Sequence, residues 1–204
     1  MTDHIKWLFF DLGGTLIDET EQEKIFTEAV SEALHISQEN IYNKLIEMSI
    51  AYKDPAKEAL KVLTGSDELL GQLRAAGKWY PPELERLFPG VGEALKALSG
   101  RYKLGIIANQ KSGMEQRLKE HGIYGFFSVF AGSGDVGLSK PDPAIFQYAL
   151  YKAGCTARRA VMIGDRLDND IYPAKKLGMT TVWVKQGWAV ISILKTRRMK
   201  RVLR

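Results

Sequence analysis

Lys6-Trp7-Leu8-Phe9-Phe10-Asp11-Leu12-Gly13-Gly14-Thr15-Leu16 begins as an unbroken apolar run and ends in a carboxylate followed closely by two glycines. A short run that is apolar on both faces and opens into a tight turn reads as a fully buried strand. Similar runs, rich in Ile, Val and Phe, recur at 103–108, 127–131, 160–163 and 180–184. Between them, apolar residues take a helical period over 91–98, 113–121, 143–153 and 169–177. Strand and helix alternate, which predicts an α/β architecture: a Rossmann-like, doubly wound parallel sheet of about five strands with helices on both faces.

One long segment interrupts this alternation. Residues 17–88 carry helix signals and no convincing strand. Ile25, Phe26, Ala29, Val30 and Ala33 form one apolar stripe, and Ile41, Leu45 and Met48 a second. Leu60 with Leu63, and Leu69 with Leu73, suggest shorter helices. Pro81, Pro82, Pro89 and Gly90 punctuate the return. The expected organisation is a core domain of residues 1–16 and 89–204, with 17–88 inserted as a small all-helical subdomain.

The chain has 204 residues, enough for one well-buried core with such an insert. Residues 1–6 carry no basic-then-apolar leader and no apolar run is long enough to cross a bilayer, so a cytoplasmic protein without a transmembrane segment is expected. The single cysteine, Cys155, excludes an internal disulfide and reads as a small semi-apolar filler. The net charge of +5 is concentrated in 195–204, where six Lys and Arg stand with no acid; the remainder has 23 basic against 24 acidic residues. Only the tail therefore raises contact with nucleic acid or a membrane surface, and ordinary solubilising charge explains it as well. His4, His35 and His121 are scattered and lack the spacing of metal ligands.

In a parallel α/β sheet, ligands bind beyond the carboxyl ends of the strands. Asp11, Ala108-Asn109 and Gly164-Asp165 stand at three such ends, and Lys140 lies in the proline-flanked loop 137–143. Two carboxylates and an ammonium there would form a compact site for a metal ion and a phosphate. The three segments resemble the motifs of the haloacid dehalogenase superfamily: Asp11-Leu12-Gly13-Gly14-Thr15-Leu16 its first motif, Lys140-Pro141-Asp142-Pro143 its lysine loop, and Gly164-Asp165-Arg166-Leu167-Asp168-Asn169-Asp170 its acidic motif. Order and spacing match, from Lys6 to about Gly187, and the insert lies where that family places its first type of cap.

The resemblance implies a hydrolase in which Asp11 attacks phosphorus and forms an aspartyl phosphate. Mg²⁺ would be held by Asp11, the carbonyl of Gly13 and Asp165, while Lys140 grips the phosphoryl oxygens. Gly14, Thr15, Ala108 and Asn109 would complete the contacts to a small phosphorylated substrate, and Asp170 would orient the lysine or a metal-bound water.

Two positions depart from the family's pattern. Gly13 stands where its phosphatases carry a second Asp, the general acid and base, and Ala108 stands where a Ser or Thr hydroxyl is usual. A positioned acid or base contributes about 10²–10⁴ in rate. The departure points to a phosphatase selective for good leaving groups. The alternatives are a phosphonatase-like carbon–phosphorus hydrolase using Lys44, Lys53 or Lys57 as a Schiff base, and a catalytically silent binding protein. Trp79 and Tyr80 of the insert are candidates either to shape a substrate pocket or to pack between insert and core.

Overall fold

The computed structural model describes residues 4–51 and 55–186. Its described residues divide into two compact units, one formed by 4–18 together with 86–186, the other by the described residues of Glu19–Glu85.

The first unit is built on β1 (Trp7–Phe10), β4 (Lys103–Ala108), β5 (Phe127–Gly132), β6 (Ala160–Gly164) and β7 (Thr180–Trp183), all parallel, in the order β5-β4-β1-β6-β7. The α/β fold with a five-stranded parallel sheet thus stands as expected. β1 is central because every one of its residues is apolar and buried. Leu8 and Phe10 enter one core cluster with Leu104, Ile106 and Val161, closed by Leu95 of α5 (Val91–Ser99) and by Met114 and Leu118 of α6 (Met114–Glu120). Trp7 and Phe9 enter the other with Ile107 and Met162, closed by Ile145, Phe146 and Ala149 of α8 (Pro143–Lys152) and by Ala174 of α9 (Tyr172–Lys176). Each fully buried Leu, Ile, Val, Phe or Met side chain among these contributes roughly 1.5–3 kcal/mol.

Two short strands depart from the expectation of none between 17 and 88. β2 (Ile17–Asp18) pairs antiparallel with β3 (Arg86–Leu87), joining the two ends of the insert, with Phe88 N–H donating to the Leu16 carbonyl at 3.0 Å. The compact helical unit runs over Glu19–Glu85.

That unit contains α1 (Thr20–Leu34), α2 (Gln38–Ala51), α3 (Pro55–Thr64) and α4 (Glu68–Ala75), and it has its own apolar cluster around Phe26, Val30, Ile41, Leu60, Leu70 and Leu73. Ala33 is exposed, whereas Gln22 and Thr27 are buried on α1; the Gln22 amide donates to the Pro81 carbonyl at 2.7 Å. Phe26 stacks on Tyr80 (5.2 Å between centroids) and meets Trp79 edge-on (5.4 Å), so both aromatics are packed into the unit's own cluster. No described helix is long and apolar enough to cross a membrane.

Gly105 of β4 is a packing requirement. A Cβ there would lie 2.7 Å from the ring of Phe9, itself fully buried. Gly105→Ala is expected to lower stability by about 1–3 kcal/mol through overpacking, seen as a lower urea midpoint at unchanged m-value.

Candidate active site

The site stands at the carboxyl edge of the sheet, where β1, β4 and β6 end side by side. Asp11 extends β1 by one residue, its N–H donating to the Ile163 carbonyl at 2.8 Å. The chain then turns sharply: the Leu12 carbonyl accepts from Leu16 N–H (2.8 Å) and Ile17 N–H (2.9 Å), and Gly14 takes φ of 69°, a conformation that favours glycine. A Cβ on Gly14 would also lie 2.6 Å from Oδ2 of Asp165, so the bare backbone lets the acidic motif close on the turn.

Gly164 does the same for the second acid. A Cβ there would sit 2.5 Å from the Asp170 carboxylate. After Asp165 the chain forms a π-helical turn over Leu167–Ile171, whose wider circumference, rather than the continuous helix expected from residue 169, brings Asp170 back over the strand end. Arg166 N–H donates to Asp170 Oδ2 at 2.9 Å, and the Arg166 guanidinium forks onto Asp168 at 3.1 and 2.5 Å.

Lys140 reaches this point from the loop between α7 (Ser133–Val136) and α8, and the Lys140–Pro141 peptide is cis. Its ammonium lies 2.6 Å from Asp11 Oδ1 and 2.6 Å from Asp170 Oδ1, with only 2 % of the side chain exposed. Asn109, read from the sequence as an amide for the phosphoryl group, instead clamps this loop: its Nδ2 donates to the Lys140 carbonyl and its Oδ1 accepts from Lys140 N–H, each at 2.8 Å. Ala108 is fully buried in the core. The N–H groups of Gly14 and Thr15 close the turn onto Ile17 and Leu12, and the Thr15 hydroxyl donates to Asp165 Oδ1 at 3.3 Å.

The structure therefore brings Asp11, Lys140, Asp165 and Asp170 together. One carboxylate oxygen from each of the three acids lies within 4.8 Å of the others, and all three residues are buried. Burial pulls the Lys140 pKa down, but Asp11 and Asp170 outweigh it and hold the group above its ordinary value, a charged ammonium. Burial, and then the neighbouring Asp11, push Asp170 up to about 7 against the pull of Lys140. Asp165 is held well above the usual carboxylate range, first by burial and then by Asp11 and Asp170. It forms no ion pair among the described residues. Three buried carboxylates with one ammonium are short of positive charge, and an all-oxygen donor set is the chemistry that suits a hard divalent cation.

Two contacts escaped the sequence reading. The Trp183 indole N–H donates to the Asp165 carbonyl and the Gln186 amide to the Thr15 carbonyl, both at 2.8 Å, so the end of β7 pins both acidic turns. A tryptophan closing a strand beside Gly164 was the available signal.

A family model for haloacid dehalogenase-like hydrolases matches residues 8–184, and the chain belongs to that family. It is a hydrolase. A glyceraldehyde 3-phosphate phosphatase of Pyrococcus abyssi is 31 % identical over 202 residues, covering 90 % of this chain and 82 % of that one. The pyrimidine 5'-nucleotidase YjjG of Escherichia coli is 39 % identical over 98 residues, 47 % of this chain and 44 % of its own length, so the chain spans under half of that relative. Among solved structures, a HAD phosphatase from Thermococcus onnurineus superposes with a TM-score of 0.63 at 28 % identity, covering 88 % of this chain and 86 % of the other.

Asn109→Ala removes two hydrogen bonds to the lysine loop. It is expected to cost about 1–3 kcal/mol in urea unfolding, because the partly buried Lys140 backbone groups lose their partners.

Proposed function

We propose that the protein is a Mg²⁺-dependent phosphatase of small phosphorylated molecules that works through an aspartyl phosphate at Asp11. The observation that carries this reading is the buried contact of the Asp11 carboxylate with Lys140 at 2.6 Å, inside a cluster of three acids at the strand ends. Relatives named for a triose phosphate and for nucleotides support the phosphate-ester class. They differ in substrate, so the class and not a particular ester is proposed.

In this reading a carboxylate oxygen of Asp11 attacks phosphorus as the bond to the leaving oxygen breaks. The electron pair departs with that oxygen, which takes its proton from water because Gly13 offers no side chain. Water then attacks the phosphorus of the acyl phosphate, the bond to Asp11 breaks, and inorganic phosphate leaves. Lys140 offsets the charge gathered on the phosphoryl oxygens. Asp170 holds the ammonium in place, and Asn109 holds its loop. Asp11, the Gly13 carbonyl and Asp165 are the groups proposed to hold Mg²⁺, which when bound would neutralise the approach of a carboxylate to an anionic phosphate.

No observation favours the carbon–phosphorus alternative. Lys44 is engaged with Glu47 at 2.6 Å, Lys57 has a partner of its own, and Lys53 lies outside the described residues. A silent binding protein would use either the pocket or the tail, and the tail, 195–204, lies outside them as well.

Without a proton donor, turnover should follow the acidity of the leaving group. An aryl phosphate is expected to be cleaved about 10²-fold or more faster than an alkyl phosphate, with Asp11→Asn inactive on both. Gly13→Asp should raise alkyl phosphate turnover. Equal rates on the two esters would reject the missing-acid argument, and an active Asp11→Asn would reject the nucleophile.

Mg²⁺ should also stabilise the fold, by about 2.7 kcal/mol at a hundred times its dissociation constant. Thermal denaturation with and without the ion reads this directly. Asp165→Asn should lose most of the shift, and an unchanged Tm in the parent protein would remove the metal from the proposal.

A further inference from the structure

The opposite edge of the sheet carries the reverse charge. In the parallel sheet the strands start where the helices end, and the segments 4–6, 96–103, 117–127, 150–160 and 174–180 meet there. They hold eleven Lys and Arg residues and one acid, Glu120. Helix dipoles account for part of this excess. Lys96, Arg117, Lys119, Lys152, Lys175 and Lys176 stand in last helical turns, where unpaired carbonyls favour cations.

The α-helix dipoles do not account for Lys6, Arg101, Lys103, Arg158 and Arg159, which lead into strands, the last two from a single 3-10 turn at Ala157–Arg159. Backbone pairing places three of these side by side: Lys6 N–H donates to the Arg159 carbonyl at 2.8 Å, and Lys103 N–H to the Lys6 carbonyl at 3.0 Å. Strands about 4.8 Å apart thus line up their charges in a row across β4, β1 and β6. Lys6, Arg101, Lys103 and Arg158 are exposed, and none of the five forms an ion pair among the described residues. Such a row, unneutralised by the protein's own carboxylates, costs self-repulsion unless an external anion relieves it.

On the 150–160 segment of this edge, Tyr151 at the end of α8 is 84 % exposed and offers a bare aromatic face, while the Lys152 ammonium lies over the Tyr148 ring. No large aliphatic residue is exposed on these segments, so nothing there would insert into a bilayer. Backbone-tracking cations with an open aromatic are the features that hold a single-stranded nucleic acid. We propose that this amino-terminal edge of the sheet is a binding surface for single-stranded nucleic acid, remote from the acidic site at the carboxyl edge.

The test is fluorescence anisotropy of a labelled oligouridylate, about 20 nucleotides long, titrated with the full chain between about 50 and 200 mM salt. Arg101→Glu/Lys103→Glu/Arg158→Glu should weaken binding at least about tenfold and reduce the salt slope by about 2–3. Tyr151→Ala should weaken it about tenfold at unchanged slope. Circular dichroism and the urea midpoint check that each variant folds. Should the triple variant fail to fold, Lys103→Glu and Arg158→Glu singly should each remove about one from the slope. The proposal is overturned by no binding at the lowest salt or by variants that bind like the parent. Loss of all binding when the six basic residues of 195–204 become Gln, with none on changing the edge, would overturn it too. So would sedimentation with phosphatidylserine vesicles that the edge variant abolishes, if the oligonucleotide does not bind.

Discussion

The buried ammonium of Lys140, 2.6 Å from both Asp11 and Asp170, is the contact on which the arrangement of the site depends. A lysine with 2 % of its side chain exposed loses nearly all its hydration, and only close carboxylates replace it. Removing one member of such a buried group typically costs about 3–5 kcal/mol, because the partner charges stay behind unpaired. The contact also carries the site's charge imbalance. One ammonium cannot neutralise three acids, and the surplus falls on Asp165, which burial and its neighbours hold towards the protonated form. A lysine that was merely a structural cation would not need a third acid beside it.

The loops around this contact all serve its placement. Asn109 fixes the lysine backbone from the end of β4, the bare Cα of Gly164 admits the Asp170 carboxylate, and that of Gly14 admits Asp165. Trp183 and Gln186 hold the two acidic turns from β7. Four strand ends therefore contribute to one constellation, and each does so through backbone hydrogen bonds or close approach. This is why the site sits on a sheet edge: strands held in fixed register set the spacing of the loops that leave them.

What was legible in the sequence follows from how each feature is encoded. β1, β4 and β6, buried along nearly their whole length, are continuous apolar runs, and the residues after β1 and β6 named the acids; β5 alternates and β7 is an edge strand without a buried residue, yet their Phe, Val and Trp content still placed them. A two-residue strand has no period to detect, which hid β2 and β3. The π-helical turn was read as the start of an ordinary helix because Asn169 and the residues after it keep a helical spacing, while the extra residue per turn leaves no compositional mark. Asn109 was visible as a polar residue in the right place, yet adjacency cannot say whether an amide faces a ligand or a backbone. On α1 the apolar period rightly marked Phe26, Ala29 and Val30 but extended to the exposed Ala33 and passed over the buried Gln22 and Thr27, whose hydrogen bonds satisfy what their polarity would otherwise forbid.

Gly13 turns this charge distribution into a statement about chemistry. In the proposed reaction the resources left without a side chain there are electrostatic: an ammonium, backbone dipoles and whatever cation the acids bind. These lower the cost of bringing a carboxylate to a phosphate, but none of them delivers a proton to a departing alkoxide. Charge stabilisation at the phosphoryl group and protonation of the leaving oxygen are separable contributions, and the proposed site would supply the first while Gly13 leaves no residue for the second. Acyl-phosphate hydrolysis meets the same gap from the other side, since no carboxylate at position 13 can draw a proton from the attacking water. Both half-reactions therefore depend on the intrinsic reactivity of the phosphoryl bond, which makes leaving-group acidity, rather than fit alone, the first determinant of which esters such a site can turn over.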